Sequence, residues 1–379
     1  MEKRPSHRPV AALSLISLFV LLAGNALATH IVPPANSAKT PKQALGDLLF
    51  ADTNLSSPPG QSCESCHQPD LFWSDPDQQF PTSEGVLGQF GGRNAPQMGY
   101  LAFTPFFHRD SATGQYVGGL FWDGRAPNQK EQAKGPFLNP VEMNATVDHV
   151  VNQVREAPYA DLFRKVFGPT SLALSKPADE IFDLIAEAIA EYQQQPEFYP
   201  FSSKYDSYLK GDVKLTQEEM NGLALFKGKG HCSACHPADP AAPGEPVLFT
   251  DFTYHNVGAP KNPNPLLARF PQDLGLGAVL NDPAQNGKFK VPTLRNVALT
   301  APCGHSGLFS TLREVVSFYN TRDVKGKWPP PEVPENVNRT LIGNLGLTAA
   351  EIDDIVAFLN TLTDGFAKPG IVKQPSAAK

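Results

Sequence analysis

Cys63-Glu64-Ser65-Cys66-His67 and Cys232-Ser233-Ala234-Cys235-His236 are two copies of one pattern, C-x-x-C-H, in a chain of 379 residues. The spacing lets two thiols form thioethers to the vinyl groups of a haem while the adjacent imidazole reaches the iron from below. One copy alone also fits half a zinc site. Two copies in matching surroundings predict two covalent c-type haems. Cys63 and Cys66 carry the first, with His67 as axial ligand; Cys232 and Cys235 carry the second, with His236.

The surroundings repeat as well. Ala44-Leu45-Gly46-Asp47-Leu48-Leu49-Phe50 precedes the first motif and Gly222-Leu223-Ala224-Leu225-Phe226 the second. Each reads as a helix leading into a haem loop, the second opened by a Thr216/Glu219 capping box. Closing helices follow. Ile181, Phe182, Leu184, Ile185, Ala188, Ile189 and Tyr192 fall at helical spacing, as do Ile352, Ile355, Val356 and Leu359 behind a Thr348/Glu351 capping box. The prediction is an all-α, loop-rich chain. It comprises a signal peptide (1–28), an N-terminal cytochrome-c-like domain (29–195), a C-terminal one (196–365) and a tail (366–379), the domains joined near Gln195–Ser203.

Composition agrees. A hydrophobic fraction of 41% and a net charge of −6 describe a soluble globular chain, not a disordered one, and supply no basic patch for nucleic acid. The 37 prolines, about twice average usage, favour short helices in long ordered loops. Lys3, Arg4 and Arg8 form a positive n-region, and Val10 to Gly24 an apolar stretch too short to span a membrane comfortably. Ala26-Leu27-Ala28 predicts cleavage after Ala28. Losing Lys3, Arg4, Arg8 and Glu2 removes a net +2 from −6 and leaves −8. The chain is expected to be exported, in the periplasm of a Gram-negative source, without a membrane span.

The sixth position on each iron separates electron carriage from chemistry. The mature chain offers Met98, Met143 and Met220 and no later methionine, so haem 2 has no methionine downstream of its motif. Between His67 and His108 there is no histidine, which leaves the loop after the first motif without an imidazole to plug haem 1. His108, His149, His231, His255 and His305 read first as hydrogen-bonded structural residues.

Further strings are specific: Gly118-Gly119-Leu120-Phe121-Trp122-Asp123-Gly124-Arg125-Ala126, Glu131-Gln132-Ala133, Asn139-Pro140-Val141-Glu142-Met143, and Phe289-Lys290-Val291-Pro292-Thr293-Leu294-Arg295-Asn296. With the two haem motifs, the chain resembles the bacterial di-haem cytochrome c peroxidase/MauG family over roughly Pro41 to Thr363. The resemblance implies that haem 1 is peroxidatic and that Gln132 and Glu142 are its distal pair. The carboxylate would move a proton between the peroxide oxygens while the amide orients them. It also implies that Trp122 relays electrons between the haems. Read without the family, these are a solvated helix residue, an exposed loop carboxylate and a core aromatic. Asn94 matches the side-chain ligand of an inter-haem calcium, and Thr300 and Pro302 match its carbonyl donors; such hard oxygens suit Ca²⁺.

In Thr311-Leu312-Arg313-Glu314-Val315-Val316-Ser317-Phe318-Tyr319-Asn320, the resemblance puts Tyr319 where conventional members have a methionine ligand and MauG-type members a tyrosine. A phenolate lowers the potential of haem 2 and lets it store an oxidising equivalent. Conventional members also block haem 1 with a histidine near Gln79–Arg93, where this chain has none. Two departures stand out. Cys303 replaces a common aromatic, and Gly230-His231 stand where a MauG that matures a quinone cofactor shows a tryptophan. The expected activity is therefore MauG-like: hydrogen peroxide reacts at haem 1, and a periplasmic partner protein is oxidised at long range. The alternative is a conventional peroxidase fed by a small cytochrome c or cupredoxin. A plain di-haem electron carrier would need two strong ligands on both irons.

Overall fold

The computed structural model describes residues 38–367. The signal segment, its cleavage point after Ala28 and all but the first two residues of the 366–379 tail lie outside the described residues. The described chain is mainly helical. Its α-helices are α1 (Pro41–Ala51), α2 (Cys63–Cys66), α3 (Gln129–Leu138), α4 (Val147–Glu156), α5 (Ala160–Phe167), α6 (Ala178–Tyr192), α7 (Lys204–Leu209), α8 (Gln217–Lys227), α9 (Leu276–Leu280), α10 (Leu312–Thr321) and α11 (Ala349–Asn360). Two antiparallel ribbons of two residues per strand complete it: β1 (His108–Arg109) with β2 (Tyr116–Val117), and β3 (Tyr254–His255) with β4 (Phe289–Lys290). Proline-rich loops run between these short elements.

Local sequence starts each haem-leading helix. Thr40 caps α1 in a reciprocal box with Gln43, and Pro41 occupies the first turn, where its missing N–H costs nothing. Thr216 and Glu219 cap α8, and Thr348 and Glu351 cap α11. The duplication extends to packing. A Cβ on Gly46 of α1 would collide with the Ala188 carbonyl of α6, and one on Gly222 of α8 with the Asp354 carbonyl of α11. Each leading helix thus meets its closing helix backbone to backbone, through a glycine four residues before Phe50 or Phe226.

Two apolar clusters result. One contains Leu45, Leu49, Phe50, Phe137, Val150, Phe163, Ile185 and Phe198, the other Phe226, Phe249, Val316, Ile355 and Phe358. Arg295, 0% exposed, ties them together. Its guanidinium forks onto Asp206 at 2.9 and 2.8 Å, donates to the Val247 carbonyl at 2.6 Å, and lies over the Phe201 and Tyr100 rings of the first cluster. The ion pair holds the Asp206 carboxyl below its usual range against the opposing effect of burial. Asp206→Asn leaves a buried cation unpaired and is expected to cost about 3–5 kcal/mol of stability. The check is the urea midpoint of the haem-loaded protein; an unchanged midpoint refutes the strut.

Candidate functional site

Both C-x-x-C-H motifs open onto cavities. In the first, α2 places Cys63 and Cys66 one turn apart, and the His67 amide donates to the Cys63 carbonyl at 3.0 Å. In the second, Cys232–Ala234 form a tight 3-10 turn, and the His236 amide donates to the Cys232 carbonyl at 2.9 Å. The imidazoles are held alike. His67 Nδ1 donates to the Trp73 carbonyl at 3.0 Å, and His236 Nδ1 to the Phe249 carbonyl at 2.8 Å. Trp73 (φ 54°) and Phe249 (φ 52°) both sit in the left-handed region, costly for bulky side chains and characteristic of functional sites. Burial keeps both imidazoles below their usual pKa, hence neutral, with Nε2 left as the metal-binding nitrogen.

None of the four motif cysteines is in a disulfide, and each is at least half buried against its cavity. Paired unbridged thiols, a neutral oriented imidazole and a largely apolar cavity are the donor set of a covalent c-type haem, so the residues fit that group twice.

The first cavity brings together Cys63, Cys66, His67, Trp122, Gln132 and Glu142. Gln132 projects from α3, which Asn128 caps. Glu142 lies in the turn after it, pinned because the Val86 amide donates to its carbonyl at 2.8 Å. Burial raises the Glu142 carboxyl above its ordinary range, while the Asn139 amide, donating at 2.6 Å, and the Arg125 guanidinium oppose that shift. Arg125 stacks on Phe121 at 3.5 Å, and both line this cavity. Met98 and Met143 also line it; His67 is its only histidine among the described residues.

The second cavity contains Cys232, Cys235, His236, Tyr319 and Cys303, with no methionine among the described residues. Met220 is exposed. Burial pushes the Tyr319 phenol above its usual range and raises the Cys303 thiol to about 11. His231, His255 and His305 share the lining. His255 Nε2 bonds to Thr253 Oγ1 at 3.1 Å, and His305 stacks flat on Phe289, with ring centroids 3.7 Å apart. His108 and His149 line neither cavity and bond to backbone carbonyls.

Trp122 lines both cavities, and its indole N–H donates to the Asn94 carbonyl at 2.8 Å. Asn94, Thr300 and Pro302 converge beside it, the Asn94 amide reaching the Pro302 carbonyl at 3.2 Å. Sequence reasoning missed four features: the Trp73 and Phe249 carbonyls, Arg125, the Arg93–Asp123–Asp273 ion cluster, and Lys290. Arg125 and Lys290 stood inside the quoted strings, and nothing local marked them. Cys235, Asp251 and His255 also approach one another closely, but a haem thioether on Cys235 would remove it as a metal ligand.

Residues 40–214 match the family model for di-haem cytochrome c peroxidase. A methylamine utilization protein MauG of Paracoccus denitrificans is 40% identical over 98% of this chain and 99% of its own length. A cytochrome c551 peroxidase of Nitrosomonas europaea is 34% identical over 96% and 92%. Among solved structures, the diheme peroxidase BthA of Burkholderia thailandensis superposes with a TM-score of 0.78 at 34% identity, covering 87% of each chain. A MauG-like protein associated with microbial copper homeostasis gives 0.67 at 31%, covering 88% and 92%. With its paired haem motifs and two matching cavities, the chain belongs to the di-haem cytochrome c peroxidase/MauG family of redox enzymes that act on peroxide.

Proposed function

We propose that this enzyme is a periplasmic di-haem oxidase of MauG type, built as two cytochrome-c-like domains (29–195 and 196–365), that uses hydrogen peroxide to oxidise a partner protein at long range. The observation that carries the reading is the contrast between the cavities. Among the described residues, Glu142 and Gln132 share the first with no second imidazole, and Tyr319 stands in the second with no methionine. When bound, the haems supply the redox equivalents; the chain supplies position and protons.

Gln132 orients peroxide through its amide. The Glu142 carboxylate takes a proton from one peroxide oxygen and returns it to the leaving one, so that H₂O₂, two electrons and two protons yield two waters. Trp122, between the cavities, carries electrons one at a time. Tyr319 and His236 would hold the haem 2 iron, and a phenolate from Tyr319 would favour its oxidised states. Asn94 with the Thr300 and Pro302 carbonyls would hold a calcium ion beside Trp122, since oxygen donors are of the kind that ion takes.

The test is a visible and near-infrared spectrum of the fully ferric protein before and after one equivalent of hydrogen peroxide. Prompt conversion to a long-lived species with a near-infrared band is the expected result. No reaction until haem 2 is reduced would mean a conventional peroxidase, with a small cytochrome c or cupredoxin as donor.

A further inference from the structure

Beside Trp122 lies a cluster of charged side chains in which one ammonium has no carboxylate partner among the described residues. Arg93 donates to Asp123 at 2.6 Å and forks onto both oxygens of Asp273 at 2.7 Å. The second Asp123 oxygen accepts from Arg125 at 2.9 Å. Both carboxylates are therefore fully engaged by two arginines. The third cation is Lys290 on β4. Its amide donates to the Trp122 carbonyl at 2.8 Å and its ammonium to the Gly119 carbonyl at 2.5 Å. No carboxylate of the described residues pairs with it. Burial pushes Lys290 down to about 8, despite the attraction of Asp123. His305 adds no compensation: burial holds it neutral, near 4.

Neither aspartate pairs with Lys290, so its buried ammonium is left without a carboxylate partner, and such a charge requires a counter-ion. The Lys290 ammonium lines the second cavity and has two N–H donors beyond the one given to Gly119. In the same wall, His305 Nε2 is buried without a hydrogen-bond partner. Both observations indicate that a polar, anionic group belongs here.

We propose that Lys290 is the seat of a carboxylate of the group bound in the second cavity, a haem propionate. This rests on the reading that Cys232, Cys235 and His236 carry a haem, and not on the peroxide chemistry. Lys290 then joins that carboxylate to the loop carrying Trp122, through Gly119 on one side and the Trp122 carbonyl on the other. It is a binding residue for haem 2 and a positioning residue for Trp122.

The experiment is potentiometry and resonance Raman spectroscopy of the di-haem protein and of Lys290→Gln, which keeps an N–H for Gly119 but loses the charge. A cation beside the haem favours its reduced state. The haem 2 midpoint is therefore expected to fall and the propionate bending band to shift in Lys290→Gln, with Lys290→Arg restoring both. Should Lys290→Gln fail to accumulate with both haems, Lys290→Met decides by the same readings. A neutral variant with wild-type potential and band overturns the proposal and leaves Lys290 a strut to Gly119. A wild-type potential that follows added formate, lost in Lys290→Gln, assigns the carboxylate to solution and overturns the propionate. None of these readings requires reaction with peroxide, so failure here leaves the proposed function standing, and the reverse holds too.

Discussion

Glu142→Gln is expected to slow the reaction of the ferric protein with hydrogen peroxide by about 10²- to 10⁴-fold, the usual contribution of a positioned proton carrier. The substitution is nearly isosteric, and the new side chain can still accept from Asn139. What disappears is the capacity to take a proton and return it. The carboxyl is buried, which raises it above its ordinary range, so the proton-accepting form is lost sooner as pH falls. The wild-type rate should therefore decline on the acid side through that raised pKa, while Glu142→Gln shows a low rate without that limb. Stopped-flow mixing with peroxide across pH measures both. A variant as fast as wild type removes Glu142 from the proton path.

Tyr319→Phe is the second large effect. The ring packs beside Phe318 in α10, so phenylalanine preserves volume and removes only the hydroxyl. If Tyr319 supplies a phenolate to haem 2, the variant loses the anion that stabilises the oxidised iron. The haem 2 potential should rise by a sizeable part of the ~0.8 V that axial ligands span, and the long-lived product of peroxide addition should vanish. The reading has competitors in the same cavity, because His255 and His305 also line it. A Tyr319→Phe protein with unchanged potential and unchanged peroxide product would transfer the ligand role to one of them and end the MauG-type mechanism. Potentiometry and the near-infrared spectrum decide.

Much of the architecture was legible because it is local. A capping box spans four residues, as Thr216–Glu219 and Thr348–Glu351 do, and each side chain accepts from the other residue's backbone amide wherever a helix starts there. The haem motif is likewise a five-residue object, its thiols and imidazole brought together by a single turn of backbone. Helical periodicity in 181–192 reports which side faces a core without saying what covers it. Even the duplication could be read, since Gly46 and Gly222 precede Phe50 and Phe226 by the same distance. The reason for those glycines could not, because the carbonyls of Ala188 and Asp354 that exclude a side chain come from distant helices.

Sequence by itself determined the two C-x-x-C-H motifs, the leading and closing helices, and the scarcity of methionine and histidine around them. Tertiary structure alone decided that Gln132 and Glu142 share a cavity with His67, that Trp122 lines both cavities, and that His231, His255 and His305 join His236 and Tyr319 in the second. It also decided the electrostatics. Arg295 reaches Asp206 across 89 residues and Arg93 reaches Asp273 across 180, pairings that no local pattern encodes. The physical reason is range. Caps and covalent motifs act over one turn of chain, whereas a buried charge is compensated, or left uncompensated like Lys290, only by whatever the completed fold brings beside it.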